Sequence, residues 1–168
     1  KMFLENYAFG MLCRVGRLFP QLIPKLATIL PSTGRVEYVN ISHRIFSIQR
    51  LVKFYEMEYA IPREACAEAV NRVRRLVKDS GFFLNFPVEV RFTAPDEIPL
   101  STASNRESAY IAVHIYKGMD FVPYFKAVES IMNSYQGRPH WGKLHFQSAA
   151  TLASRYPQWD VFQAVRNQ

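Results

Sequence analysis

Glu89 and Arg91 are two residues whose side-chain types and spacing suit a binding or catalytic site. They stand two apart within residues 86–92, a segment rich in strand-forming residues. Side chains two apart on a strand point the same way, about 6 to 7 Å apart at the backbone. Because a carboxylate accepts hydrogen bonds from hydroxyls and a guanidinium donates them, the pair could clamp a polyol. A solvated, salt-bridged sheet face is the alternative that spacing alone leaves open.

A second pair of residues, the acids Glu56 and Glu58, has the same spacing within residues 52–59. Paired carboxylates on one strand face could do acid–base work or hold a divalent ion. Pairing of one carboxylate with Lys53, or with an arginine of the helix that follows, is the simpler expectation. The two acids alone therefore predict no reaction.

Residues 138–145 hold an unusual density of functional groups, in the order Arg-Pro-His-Trp-Gly-Lys-Leu-His. The proline and the glycine both constrain the backbone, which predicts a loop here. His140 and His145 are five apart, which fits no helical metal pair, and no cysteine or acid lies beside them, so no metal site is expected. A loop that delivers Lys143 into a site is the better interpretation, because an ammonium group there could stabilise developing negative charge.

The strand at residues 109–116 has two chemically different faces. Its odd positions are aliphatic, whereas its even positions place Tyr110, His114 and Tyr116 on the opposite face. Residues 86–92 alternate in the same way, with Phe86, Val88, Val90 and Phe92 expected on the core face. Each of these strands therefore has one face for the core and one face free for a ligand.

Other elements surround these strands. The first 30 residues predict a helix that is interrupted by prolines, and amphipathic helices are expected over residues 62–81 and 121–135. A strand is expected around Val36, Tyr38 and Ile41. The order β-α-β-β-α predicts the α+β class, with an antiparallel sheet and helices packed on one of its faces.

Composition excludes several kinds of protein. The chain has 168 residues, 49% of them hydrophobic, which indicates a globular domain rather than a disordered chain. Two cysteines are too few for a disulfide framework, and buried free thiols in a reducing compartment are expected. The net charge of +7 leaves a nucleic acid, an anionic membrane surface or an anionic ligand open. No phosphate-binding glycine pattern and no RNP-like aromatic run is present.

Three segments of this chain resemble one known family, and they occur in the order and at the spacing found in that family. Residues 54–64, 87–92 and 138–145 are similar to the C-terminal substrate domain, or cap domain, of the FAD-dependent sugar-1,4-lactone oxidases and dehydrogenases. That group includes gulonolactone, arabinonolactone and alditol oxidases. The resemblance covers essentially the whole chain.

The resemblance implies a larger enzyme and its partners. It implies an N-terminal FAD-binding domain of the vanillyl-alcohol-oxidase type, absent here, which holds most of the FAD. It also implies a sugar lactone or polyol as substrate, and oxygen or another oxidant as electron acceptor. We expect residues 1–34 to pack on the missing FAD domain and residues 35–137 to form the substrate-binding cap. Residues 138–168 are expected to return to the flavin site.

The resemblance also implies roles for particular residues in hydride transfer from a carbinol carbon to flavin N5. Expected catalytic residues are Glu89, Arg91 and Lys143. Expected substrate contacts are His114, Tyr116 and His140, and Lys143 and Trp141 are expected on the cofactor side. Tyr116 replaces a smaller polar residue of the family, which leaves the finer substrate specificity open.

Two other interpretations stay open. The chain could be a non-catalytic, basic α+β module for nucleic acid or a protein partner. It could also do nothing alone and serve as an interaction surface for a separate flavin-domain chain. For the enzyme we expect no metal, no nucleic-acid partner and no transmembrane segment. We expect a cytoplasmic location, and membrane association stays open.

Overall fold

A four-stranded antiparallel sheet forms the centre of the molecule. The computed structural model describes residues 2–29, 37, 39–46 and 51–168. The strands are β1 Phe54–Pro62, β2 Glu89–Thr93, β3 Ser108–Tyr116 and β4 Arg138–Pro139. Their order in the sheet is β2-β3-β1-β4, with antiparallel pairing throughout. The predicted α+β class with an antiparallel sheet is confirmed.

Seven α-helices are found within the described residues. They are α1 Met2–Leu18, α2 Ile23–Ile29, α3 Ser42–Phe46, α4 Cys66–Asp79, α5 Val122–Asn133, α6 Ala149–Ala153 and α7 Trp159–Arg166. Short 3-10 turns at Pro20–Leu22 and Arg63–Ala65 lead into α2 and α4. The predicted interruption of the N-terminal helix by proline is confirmed, because Pro20 opens the turn that follows α1.

The hydrophobic core lies between the two long strands and the helices α4 and α5. In β1, Met57 and Tyr59 face the core, and they are paired with Val113 and Ile111 of β3. Helices α4 and α5 cover this face with apolar side chains such as Val73 and Phe125, all buried. The even-numbered residues of both strands consequently point to the opposite face, which we call the open face.

The strand predicted at residues 86–92 begins three residues later than expected. The prediction that Phe86 faces the core together with Val88 is wrong. The Phe86 ring instead packs on the open face, with its centroid 5.1 Å from that of Phe54 and 5.8 Å from that of His114. Pro87 has no backbone N–H to give to a sheet, so pairing starts only at Glu89.

The N-terminal helix packs across one end of the open face. Cys13 is fully buried, and the Phe9 ring meets Phe86 edge-on at 5.1 Å. An apolar cavity of about 320 Å³ lies between α1, α2 and residues 84–87. Both cysteines are free and buried, as predicted.

The strand expected around residues 36–41 falls partly outside the described residues. Val36 and Tyr38 lie outside the described residues. Ile41 does not belong to a strand, because it directly precedes helix α3, and its carbonyl accepts hydrogen bonds from the amides of Arg44 and Ile45. The boundary expected at residue 34 also lies outside the described residues.

Candidate functional site

Two carboxylates of β1 form the centre of a charged cluster on the open face. Glu56 and Glu58 alternate with the core residues Met57 and Tyr59, so the pleat of the strand directs both acids away from the core. The Glu58 side chain is only 4% exposed. A buried carboxylate must be paired, which makes its partners the informative feature of this face.

Lys143 reaches these acids because its loop continues along β1. After β4, the amide of His140 donates to the carbonyl of Glu58 at 2.9 Å, and the amide of Leu144 donates to the carbonyl of Glu56 at 3.0 Å. The Lys143 side chain is 17% exposed, and its ammonium group donates to Glu56 Oε1 at 2.5 Å and also to Glu58 Oε2. Backbone pairing of this loop with β1 therefore brings Lys143 to the strand that carries both carboxylates.

Arg91 enters the cluster on the same face from β2, which lies beyond β3. Its Nη2 donates to Glu58 Oε2 at 2.6 Å, and its Nη1 lies 4.0 Å from Glu89 Oε2. The register places Ala112 of β3 between Glu58 and Glu89. Because alanine is small, the guanidinium can cross β3 above it and meet Glu58. The Arg91 side chain stays 53% exposed and can still donate to a ligand.

His114 lies beneath the cluster rather than at its surface. It is 3% exposed, and its ring is packed against Phe54 and Phe86 with centroids 5.2 and 5.8 Å away. Its Nε2 lies 3.1 Å from Glu56 Oε1, but neither ring nitrogen makes an aligned hydrogen bond with a described residue. His114 therefore touches the carboxylate that holds Lys143.

The cluster nearly balances its own charge. Glu56, Glu58 and Glu89 bring three negative charges, and Lys143 and Arg91 bring two positive ones. Burial raises the pKa of Glu56, but Lys143 and, less strongly, His114 outweigh it, so the pKa falls below its usual 4.5. The exposed edge of the cluster offers N–H donors and the Glu89 carboxylate side by side. Such an edge suits a ligand rich in hydroxyl groups.

The lowered pKa of Glu56 predicts a pH dependence of stability. A carboxyl whose pKa is lower in the folded than in the unfolded state stabilises the fold above its unfolded value. That contribution is lost as the pH falls from about 4.5 through the folded-state pKa. Glu56→Gln should therefore show a shallower fall in melting temperature below about pH 4.5. Calorimetry of the full-length protein from about pH 6 down to pH 3 measures this. Glu64→Gln, at an exposed site, is the control, and curves of equal slope would contradict the assignment.

The other predicted site residues lie around this cluster. Tyr116 shares the open face but is paired with Phe54 at its far end, where it lines a cleft beside α1. His140 is exposed, and its Nδ1 accepts from the Gly142 amide at 3.0 Å. The exposed indole of Trp141 stacks on Tyr156, with ring centroids 5.2 Å apart. Its Nε1 donates to the carbonyl of Leu100 at 2.8 Å.

Sequence reasoning missed the centre of the site. The expectation that Glu56 or Glu58 pairs with Lys53 or a helix arginine is wrong, because their partners are Lys143 and Arg91. The two-residue spacing was visible, but Lys143 is 85 positions after Glu58 in the chain. Within the described part of the chain, no three His, Cys, Asp or Glu side chains are grouped so that they could hold a metal ion.

Among the helices of the described residues, none combines the length and apolar character that crossing a bilayer requires.

Comparison with known proteins gives a consistent set of relatives. The family model of D-arabinono-1,4-lactone oxidase matches residues 1–168. L-gulono-1,4-lactone dehydrogenase of Mycobacterium tuberculosis is 52% identical over 98% of this chain and 39% of its own length. Bovine L-gulonolactone oxidase is 35% identical over 80% of this chain and 32% of its own length. A Streptomyces alditol oxidase is 32% identical over 67% of this chain and 27% of its own length. The chain thus spans about two fifths of the dehydrogenase.

Proposed function

The chain belongs to the D-arabinono-1,4-lactone oxidase family, and from this premise we propose that it is the substrate-binding part of an FAD-dependent oxidoreductase. The substrate is an aldono-1,4-lactone of the L-gulono-1,4-lactone kind, or a polyol. The observation that carries the proposal is the Lys143–Glu58–Arg91 cluster on the open face. It supports the proposal because its donors and acceptors match those of a polyhydroxylated ring.

Glu89 and Arg91 orient the substrate in this proposal. Both side chains are substantially exposed, and each has hydrogen-bonding capacity beyond its contact with the other. The Glu89 carboxylate accepts from substrate hydroxyls, and the unused N–H groups of Arg91 donate to the ring or carbonyl oxygens. Glu58 holds the guanidinium at 2.6 Å, so the donors are fixed before substrate arrives.

Lys143 stabilises the hydroxyl oxygen on the substrate carbon that gives up the hydride. An ammonium group has three donors, and two of them are taken by Glu56 and Glu58. The third is left for a substrate oxygen that becomes negative as its proton leaves. Arg91 can share this role from the opposite side of Glu58.

The substrate contacts inferred from the family resemblance stay proposals, with roles that follow from their positions. His114 is buried, so it acts through Glu56, 3.1 Å away, and keeps that carboxylate directed at Lys143. His140 supports the turn of the lysine loop through its bond with Gly142. Tyr116 lies at the far end of the open face, where it could contact only a ligand that extends toward α1.

The residues on the cofactor side fit a flavin in a limited way. One free donor of Lys143 suits a single hydrogen bond to a ring atom. Trp141 offers an exposed ring face only, since its N–H is bonded to Leu100. When bound, FAD accepts the hydride that leaves the substrate carbon. Most of the cofactor would be held by an N-terminal FAD-binding domain, against which we place residues 1–34.

The same proposal assigns the rest of the chain. Residues 35–137 form the substrate-binding cap, and residues 138–168 return Lys143 and Trp141 to the flavin. Oxygen or another oxidant would serve as the electron acceptor. The backbone pairing of the lysine loop with β1 supports this division, because it joins the last segment to the cap at the site itself.

Anaerobic flavin reduction tests the proposed function directly. The full-length protein is mixed with L-gulono-1,4-lactone in a stopped-flow instrument. The absorbance of the oxidised flavin, at roughly 450 nm, is followed over time. We expect saturable bleaching by the lactone. γ-Butyrolactone, which has the same ring without hydroxyl groups, is the matched control and should not reduce the flavin. Absence of reduction by aldonolactones and by alditols alike would refute the proposal.

A further inference from the structure

Four basic residues of this chain line a cleft away from the charged cluster. The cleft, of about 500 Å³, lies between α1, the start of β1 and the end of β3. We call it the basic cleft. Its charged lining residues are Arg14, Arg17, Lys53 and Lys117, and the described lining residues include no acid.

These four cations differ from those of the substrate cluster in their pairing. Lys143 and Arg91 are bonded to carboxylates at short range. Among the residues that the structure describes, none of the four cations of the basic cleft lies within ion-pair distance of an acid. Four like charges that face one concavity repel each other, and an anion that enters removes that repulsion.

Contacts of the backbone bring the residues that carry these four charges close together. Lys117 donates its amide to the carbonyl of Lys53 at 3.0 Å, which holds the two lysine-bearing segments side by side. The Arg17 guanidinium lies over Gly118, whose φ is +93°, and Arg17 Nη1 is 2.7 Å from the place of a Cβ there. Only a residue without a side chain leaves room for the guanidinium in this position. Arg14 lies one helical turn before Arg17 and faces the same cleft.

We propose that the basic cleft binds a small molecule carrying a phosphate ester or a diphosphate. Four positive charges exceed what a single carboxylate neutralises, whereas a diphosphate brings two or three negative charges. Arginine forks match phosphate oxygens, and lysines add point charges. The volume is that of a small-molecule site, and Met11, Val52 and Tyr116 provide a less polar wall for the organic part. A neutral lactone offers none of this charge, so the site is separate from the proposed substrate cluster.

Calorimetric titration of the full-length protein with inorganic pyrophosphate tests the proposal. We expect saturable one-to-one binding that weakens as NaCl is raised. Arg17→Gln and Lys117→Gln should each weaken it about tenfold or more, because each removes a charged donor to phosphate. The matched control is Arg74→Gln, which removes one positive charge from α4 outside the cleft.

The outcomes separate a built site from general charge attraction. Retained affinity in the control, together with loss in both cleft variants, supports the proposal. No saturable binding, or an equal loss in the α4 control, overturns it. An unchanged melting temperature shows that the variants fold, and Lys53→Gln provides an exposed third variant should one of them fail. ADP and vesicles containing phosphatidic acid then compete for the pyrophosphate site. Competition by ADP alone indicates a soluble ester, and competition by vesicles indicates a lipid headgroup.

Discussion

Replacement of Lys143 by methionine should lower the rate of lactone-driven flavin reduction about 10²- to 10³-fold. Methionine keeps most of the length of the side chain but removes the ammonium group, whose third N–H donor is the one we propose for the reacting oxygen. Its loss leaves developing negative charge beside Glu56 and Glu58 with no cation between them. Anaerobic stopped-flow measurement in the full-length protein gives the limiting rate and the substrate dependence separately.

The control for this variant is Lys78→Met. Lys78 is an exposed residue at the end of α4, so the same change there removes the same charge away from the open face. Its reduction rate should equal that of the wild type. If Lys143→Met also reduced at the wild-type rate, the lysine would have no part in the chemistry, and the cluster would be a structural ion pair only.

Glu58→Gln is expected to weaken stability and substrate binding together. One buried oxygen, Glu58 Oε2, accepts from both Arg91 and Lys143. Without its charge the two cations repel each other across the same spot. Arg91 then loses its buried partner, and Lys143 keeps only Glu56. Breaking a buried ion pair costs several kcal/mol, and the exposure of Arg91 reduces this to about 2 to 3 kcal/mol. Calorimetric unfolding gives the stability, and the lactone dependence of flavin reduction gives the rise in KM.

A double variant separates this effect from a general weakening of the sheet. Because Glu58 and Lys143 act as a pair, the stability loss of Glu58→Gln/Lys143→Met should be smaller than the sum of the two single losses. Glu64→Gln, which makes the same change at an exposed position, should be close to the wild type. Additive losses would show that the two residues contribute independently, contrary to the geometry of the cluster.

The parts of the fold that depend on local patterning were predictable. The alternation in residues 109–116 predicted β3 and the face of His114, and the helical spacing of apolar residues predicted α4 and α5. Phe86 was misplaced because the alternating pattern includes Pro87, which has no N–H for the sheet. The hydrogen-bonded strand therefore begins only at Glu89, although the alternation begins at Phe86. The spacing of Glu89 and Arg91 correctly placed both on one face.

The rest of the site depends on contacts between distant parts of the chain. The burial of Glu58 and its two partners follow from the strand order β2-β3-β1-β4, which no single segment encodes. His114 lies on its predicted face, but Phe54 of β1 and Phe86 of the segment before β2 cover it, and the pattern of β3 itself does not encode this covering. The alternation therefore predicted which residues share the open face, but not which acids hold the lysine.

The pairing of residues 140–144 with β1 also has a consequence for how the chain acquires its native state. Lys143 follows Glu58 by 85 positions, so the ribosome releases the two acids long before their main counter-charge. Until β4 and the loop after it pair with β1, the carboxylates of β1 must stay hydrated, which keeps the free edge of β1 open to water. Pairing of β4 with β1 and neutralisation of the carboxylates by Lys143 then occur in the same step. A chain cut before residue 138 should remain a substrate for chaperones and proteases.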